Sequence, residues 1–250
     1  MTISILSVAI SEMRKDELLS LVSQRLNVLP TGKARPLVIA TVNPEMIMLA
    51  QKNEKFKSVL NQADIQTADG VGVVWAAKKL FNQSIERITG SDFLPEICEM
   101  AAKHGASVFF LGAGEGVAHL AAQSIQKWLP NLRIAGMFGG SRDDDFSKLP
   151  EHVKKQLSQA DVIFVAYGAP AQELWIRRNL SHLMGCKVVM GVGGAFDFVA
   201  GTVKRAPKWV RVLGLEWFFR LLLQPWRWRR MLVLPRFVLR VLLSTRYSKK

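Results

Sequence analysis

Short runs rich in β-branched and aromatic residues alternate along this chain with longer stretches of helical periodicity. Six runs have the composition of buried strands: Leu37–Val42, Ile65–Ala68, Ser107–Leu111, Leu132–Met137, Val162–Ala166 and Lys187–Gly191. The intervening segments have helical spacing: Pro44–Leu60, Val71–Leu80, Asp92–His104, Val117–Leu129, Phe146–Gln159 and Pro170–Leu183. Strands separated by helical segments of about 10–15 residues form right-handed βαβ units. The alternation therefore predicts an α/β fold, a mainly parallel sheet with helices on both faces.

The N-terminal apolar run Ile3–Ile10 is predicted to be a further strand. No basic residue precedes it and charged residues follow at once, unlike a secretory signal. No stretch of the chain reaches the roughly 20 apolar residues that span a bilayer. Cys98 and Cys186 lie in apolar contexts, and we interpret them as reduced core thiols of a cytoplasmic protein.

The net charge divides the chain into two unequal parts. Residues 204–250 contain 13 Lys or Arg and one acid, Glu216, a balance of +12 out of +14 for the whole chain. They also contain four of the seven tryptophans. We therefore predict a nearly neutral globular domain, the body, residues 1–203, followed by a basic appendage, residues 204–250.

The pattern within the appendage is helical over Trp209–Leu223 and Trp226–Leu243, with a break expected at Pro235. Leucines and valines cover some faces of these helices, and tryptophans and arginines lie at the borders. This amphipathic pattern favours contact with an anionic membrane surface. The alternative is a helix that packs on the body and leaves its arginines in solvent.

Polar residues follow several of the predicted strands, where ligands bind in open α/β sheets. Thr41 and Asn43 follow the strand Leu37–Val42, and Asn43 before a proline also fits a helix N-cap. Asp69 follows Ile65–Ala68 and is either a helix cap or a general base in a cleft. Arg87 is a candidate for binding a phosphate group or an acceptor substrate.

Two later segments suit a sugar or a base. Gln172 and Glu173 lie in the first turn of a helix, where free backbone N–H groups also point outward. Gly193 and Gly194 allow the backbone to approach a ligand closely, and Asp197 is placed to bond a sugar hydroxyl.

Two further motifs resemble known ligand sites without matching them. Gly112–Gly116 has the spacing GxGxG rather than GxGxxG, and no acid ends the next strand to hold a ribose, which argues against a nicotinamide cofactor. A helix N-terminus facing a diphosphate is still compatible with it. Asp143 and Asp145 imitate a metal-binding DxD but follow a polar loop, so we interpret them as solvated. No histidines or cysteines have metal-ligand spacing.

Seven motifs in the same order resemble the WecG/TagA/CpsF family of bacterial glycosyltransferases, over about Leu37 to Arg230. They are TVNPE, TADGVGVVWA, ERITGSD, VFFLGAGEG, YGAPAQELW, GVGGAFDFVAGTVKRAPKWV and LGLEWFFRLLLQPWRWRR. The last two together are highly specific. The resemblance implies a Rossmann-like α/β domain with a membrane-associating C-terminal appendage that completes the active site.

The resemblance also implies an activity and its residues. The family moves an N-acetylmannosamine or its uronic acid from a UDP-sugar to a polyprenyl-diphosphate-linked N-acetylglucosamine, with inversion, no metal and no cofactor. Asp69 corresponds to the catalytic base. Pocket residues correspond to Thr41, Asn43, Arg87, Gln172 and Asp197, and the arginines that reach over the site correspond to Arg220, Arg227 and Arg230. The expected location is the inner face of the cell membrane, and self-association is left open.

Two other classes are compatible with parts of this pattern. Arginine and tryptophan together also suit nucleic acid, although the density of leucine and valine in the appendage suits lipid better. A nucleotide-sugar dehydrogenase using NAD would require the ribose-binding acid that the sequence lacks.

Overall fold

The chain begins with a β-hairpin. The structure is a computed structural model that describes residues 1–27, 34–142 and 145–247. Strands β1 (Thr2–Ile5) and β2 (Val8–Ser11) pair antiparallel in a sheet of their own. Leu6 and Ser7 join them with φ angles of 49° and 64°, the backbone of a two-residue hairpin turn. The prediction of one strand over Ile3–Ile10 is wrong, because Leu-Ser carries none of the Asn or Gly signals that such turns favour.

The main sheet has six parallel strands and confirms the predicted fold class. Its strands are β3 (Leu37–Val42), β4 (Ile65–Ala68), β5 (Ser107–Gly112), β6 (Arg133–Phe138), β7 (Val162–Ala166) and β8 (Val188–Gly191). They lie in the order β4-β3-β8-β7-β5-β6. All neighbouring pairs are parallel, with one register shift between β5 and β6. This is a Rossmann-like arrangement.

Helices cover both faces of this sheet. Those of the body are α1 (Lys15–Asn27), α2 (Pro44–Ala50), α3 (Glu54–Asn61), α4 (Val71–Phe81), α5 (Gly90–Lys103), α6 (Val117–Trp128), α7 (Glu151–Gln159), α8 (Ala171–Asn179) and α9 (Ala195–Val199). Because successive strand residues face opposite sides, Phe110 and Phe164 pack with α1, α5, α6 and α9. Phe109 and Ile163 pack on the other face with α7 and α8.

Several predicted helices are interrupted in the structure. The segment Pro44–Leu60 is two helices, because the Asn53 side chain accepts a hydrogen bond from the Phe56 N–H and starts α3. Only a 3₁₀ turn, Phe146–Lys148, precedes α7 in the segment predicted as one helix, and Pro150 separates the two. Helix α1 was not predicted, although Leu18, Val22 and Leu26 recur at helical spacing and form its buried face.

The appendage contains the helices α10 (Lys208–Val212), α11 (Glu216–Leu223), α12 (Trp228–Met231) and α13 (Val233–Tyr247). Gly214, with φ of +74°, divides the first predicted helix. The predicted helix Trp226–Leu243 does break, but at Leu232, between α12 and α13, rather than at Pro235 itself. The helix begins at Val233, so Pro235 lies in its first turn, where a missing N–H removes no helical hydrogen bond.

Helix α13 packs on the body rather than lying apart from it. Phe237 and Val241 are buried in one apolar cluster with residues of β1, β2, α2 and α4. The alternative of a helix packed on the body is therefore correct for this face of α13. Its other faces leave Leu239 and Leu243 exposed. No helix in the described part of the chain combines the length and the apolar character needed to cross a bilayer.

We expect Phe237→Ala to lower the free energy of unfolding by about 3–5 kcal/mol, because it leaves a cavity between α13, α2 and α4. Leu239→Ala is the matched control on the exposed side of the same helix and should change it by less than about 0.5 kcal/mol. Urea unfolding followed by circular dichroism measures both. Equal effects would show that α13 does not contribute to the core.

Candidate active site

Three of the predicted polar segments meet at one edge of the sheet. β3 pairs with β4 on one side and with β8 on the other. Parallel strands end at the same edge, so Asn43, Asp69 and Gly193, which follow these three strands, leave the sheet from adjacent positions. Thr41 is buried below them and donates a hydrogen bond to the Gly191 carbonyl at 3.0 Å.

Asp69 is a half-buried carboxylate that caps no helix. The N-cap of α4 is Gly70, and no side chain caps that helix end, so the capping interpretation of Asp69 is wrong. Burial raises the pKa of Asp69 to about 7, opposed by the Gly90 N–H that faces the carboxylate. The charge of Glu216 raises the pKa further and that of Arg87 lowers it. A carboxylate with a pKa near neutrality is suited to accept a proton.

Asn43 and Arg87 flank this carboxylate. The Asn43 side chain accepts a hydrogen bond from the Met46 N–H at 3.0 Å, so the predicted cap is confirmed. Arg87 pairs with Ala68 in a parallel bridge, which places its segment beside the end of β4. Among the described residues no acid forms an ion pair with Arg87, so its charge is available to a ligand.

Gln172 and Glu173 are both buried, at 2% and 5% exposure. The Gln172 Oε1 accepts hydrogen bonds from the N–H groups of Gly193 at 2.9 Å and Gly168 at 3.2 Å. Its Nε2 donates to Glu173 Oε1 at 2.6 Å. Gln172 and one oxygen of Glu173, both predicted to contact a ligand, therefore form hydrogen bonds within the protein, and Gln172 holds the loop after β8.

Asp197 lies at the start of α9 and faces Arg220 from the appendage. Arg220 Nη2 is 3.5 Å from Asp197 Oδ2, and its guanidinium lies 4.8 Å from the centre of the Phe198 ring. A Cβ on Gly194 would lie 2.7 Å from Arg220 Nη2 and 3.2 Å from Asp197 Oδ2. The φ of Gly194 is −84°, so glycine is needed here for space rather than for conformation.

The other two predicted arginines lie near Arg220. Arg230 forms an ion pair of 2.5 Å with Glu45, in the first turn of α2. Burial lowers the pKa of Arg227 to about 10, and the charges of Arg220 and Arg230 lower it further. The structure thus brings three guanidinium groups of the appendage together above the ends of β3 and β8. Within the described part of the chain, Arg227 has no carboxylate partner.

An ion network fastens the appendage to the body, and the sequence did not reveal it. Asp92 pairs with Arg205 at 2.7 Å and with Arg211 at 3.2 Å, and Arg205 also pairs with Glu216 at 3.1 Å. Glu216 and Arg220 are one turn apart on α11, so this network orients the helix that carries Arg220. The signal that could have found it is Glu216, the one acid in residues 204–250.

The remaining candidates lie elsewhere. Gly112–Gly116 follows β5, away from β4 and β3 in the sheet order. In the DxD-like segment, Asp143 lies outside the described residues and Asp145 pairs with Arg178 at 2.7 Å. The described residues contain no group of three or more His, Cys, Asp or Glu side chains suited to hold a metal ion.

A family model described as the glycosyl transferase WecG/TagA/CpsF family matches residues 3–250. The chain belongs to this family. An N-acetylglucosaminyldiphosphoundecaprenol N-acetyl-beta-D-mannosaminyltransferase of Bacillus subtilis (strain 168) is 40% identical over 214 residues, which cover 85% of this chain and 81% of the relative. A protein of the same name from Staphylococcus aureus (strain MRSA252) is 35% identical over 216 residues, which cover 86% and 83%. The chain is therefore a glycosyltransferase, rather than a member of the two other classes considered above.

We propose that Asp69 is the catalytic base, and we therefore expect kcat/KM to fall below a pH of about 7, where Asp69 gains a proton. Asp69→Asn should lower turnover about 10²–10⁴-fold. The pKa of Asp69 is raised in the folded state from its ordinary 3.8, so the native carboxyl binds its proton more tightly and stability falls as pH rises through this window.

Asp69→Asn should therefore melt higher than the wild type at pH 8, with a smaller difference at pH 5. The measurements are a pH–rate profile and melting curves at both values. A flat profile between pH 5 and 8, or full turnover by the variant, would remove Asp69 from the role of base.

Proposed function

We propose that this enzyme transfers an N-acetylmannosamine-type sugar from a UDP-sugar to a polyprenyl-diphosphate-linked N-acetylglucosamine, with inversion and without a metal ion. The carrying observation is one half-buried carboxylate, Asp69, at a sheet edge over which three appendage arginines converge. The names of the relatives support the acceptor and the type of sugar. The uronic acid of the same sugar is the second donor to test.

In the proposed reaction Asp69 takes the proton of the acceptor hydroxyl while the hydroxyl oxygen attacks the anomeric carbon of the donor sugar. The bond from that carbon to UDP breaks at the same time, so the new bond forms on the opposite face of the sugar and the anomeric centre inverts. The proton remains on Asp69, and UDP leaves with an additional negative charge. A positioned carboxylate accelerates such a step by about 10²–10⁴-fold.

The charge on the departing diphosphate needs cations, and the appendage supplies them in this proposal. Arg227 carries no ion pair with a described acid. The ion pair of Arg220 with Asp197 is long, at 3.5 Å, so Arg220 can also bind a diphosphate oxygen. Guanidinium groups bind diphosphate oxygens in pairs and stabilise charge that develops in the transition state. Binding UDP would also relieve the mutual repulsion that lowers the pKa of Arg227. The arginines therefore take the place that a divalent metal ion has in other sugar-nucleotide enzymes.

The test is a donor screen with the purified chain and polyprenyl-diphosphate-linked N-acetylglucosamine. We expect UDP release with UDP-N-acetylmannosamine or its uronic acid, unchanged by EDTA. Arg227→Met should lower kcat strongly at saturating donor, whereas Arg229→Met, an exposed neighbour, is the matched control and should not. A requirement for added Mg²⁺ or Mn²⁺ would contradict the metal-free mechanism. Release of UDP without transfer of N-acetylmannosamine or its uronic acid to the lipid would contradict the function itself.

We also propose that the appendage holds the enzyme on the inner face of the cell membrane. Its exposed apolar side chains include all four of its tryptophans: Trp209, Trp217, Trp226 and Trp228, at 67%, 41%, 71% and 53% exposure. Exposed arginines lie among them, and each basic residue near an anionic surface contributes about 1 kcal/mol. Tryptophan and arginine together suit the boundary between lipid headgroups and acyl chains.

We expect the double variant Trp209→Ser/Trp226→Ser to lose flotation with vesicles that contain anionic lipid. Trp128→Ser is the matched control, because Trp128 is 54% exposed but belongs to α6 of the body. Substitutions are a sharper test than removal of the appendage, because a truncation would also expose the core around Phe237. Equal flotation of both variants would reject the membrane role of these side chains.

A further inference from the structure

The amide of Gln172 has a fixed orientation that the loop after β8 requires. Its Oε1 accepts from two backbone N–H groups, those of Gly193 and Gly168, which belong to the loops after β8 and β7. A flipped amide would turn its NH₂ toward these donors and lose both hydrogen bonds. The position of the two loops relative to each other therefore depends on which way this amide points.

Glu173 accepts the hydrogen bond that the NH₂ group of Gln172 donates in this orientation. The Gln172 Nε2 donates to Glu173 Oε1 at 2.6 Å, and it has no other acceptor among the described residues. A Cβ on Gly191 would lie 2.8 Å from the Gln172 Nε2 and 3.2 Å from Glu173 Oε1. The absence of a side chain at Gly191 is thus what allows the pair to fit against the end of β8.

The second oxygen of Glu173 is buried and has no hydrogen-bond partner. Glu173 lines a cavity between β3, α3 and α8, whose walls include Val38, Leu60 and Ile176 and whose rim includes the exposed Arg177. A buried acceptor without a partner costs stability, so packing alone does not account for a carboxyl group at this position. Burial raises the pKa of Glu173 to about 7, and Oε1 can accept a hydrogen bond in either protonation state.

We propose that Glu173 is a positioning residue, which fixes the Gln172 amide and through it the Gly193–Gly194 loop on which Arg220 and Asp197 meet. The links are short and continuous: Glu173 to Gln172, Gln172 to the Gly193 N–H, and Gly194 to the space occupied by Arg220. In this proposal Glu173 acts through the Gln172 amide rather than through contact with a substrate. Its effect on turnover rests on the proposed function, whereas its effect on the loop does not.

Two variants distinguish the role of Glu173 as a hydrogen-bond acceptor from the effects of its charge and of its packing. Glu173→Gln keeps a carbonyl oxygen for the Gln172 amide and should retain kcat within about threefold. Glu173→Met removes the acceptor at similar size, so kcat should fall about tenfold or more; loss of the unpaired Oε2 offsets part of the cost of leaving the Gln172 Nε2–H unpaired, so the melting temperature should change little. Arg177→Met is the control, because it changes the rim of the same cavity without touching the amide.

Hydrogen–deuterium exchange of the peptide that contains Gly193 gives a readout independent of activity. We expect faster exchange of this peptide in Glu173→Met and wild-type protection in Glu173→Gln and Arg177→Met. Wild-type exchange and kcat in Glu173→Met would overturn the proposal, and so would equal losses in both Glu173 variants. If the wild type transferred no sugar, the proposed function would fail, while the exchange measurement would still decide the role of Glu173.

Discussion

The site depends on holding like charges together above one edge of a sheet. Arg220, Arg227 and Arg230 repel one another: burial lowers the pKa of Arg227, and the charges of Arg220 and Arg230 lower it further. Two acids of the body oppose this repulsion, Asp197 with Arg220 and Glu45 with Arg230. These acids lie in the first turns of α9 and α2, the helices that follow β8 and β3, so the ion pairs attach the appendage at the edge of the sheet where the site lies.

Both apolar packing and ion pairs attach the appendage to the body. Phe237 and Val241 bury α13 in the body and supply most of the stabilisation that burial can give. The half-buried pairs of Asp92 and Glu216 with Arg205 contribute less energy but set the rotation of α11. One face of the appendage thus belongs to the core, while its tryptophans are left outside.

Particular residues show how far the sequence predicted the site. Asp69, Asn43 and Gly193 were expected at one edge because parallel strands end together, and the structure confirms that placement. Gln172 and Glu173 were expected to face a ligand, but helix position alone does not reveal that the Gln172 amide and one oxygen of Glu173 form hydrogen bonds within the protein. The pairing of Asp92 with Arg205 joins residues 113 positions apart, and no local pattern signals it.

The sequence alone determined the α/β class, the basic appendage and the order of the polar segments, because hydrophobic periodicity and charge are local properties of the chain. Only the tertiary structure decided that residues 2–11 turn back on themselves, that Gly194 leaves space for a guanidinium group, and that Asp69 has a pKa near neutrality. Each of these depends on burial or on atoms contributed by distant segments. Such contacts exist only once the chain has folded.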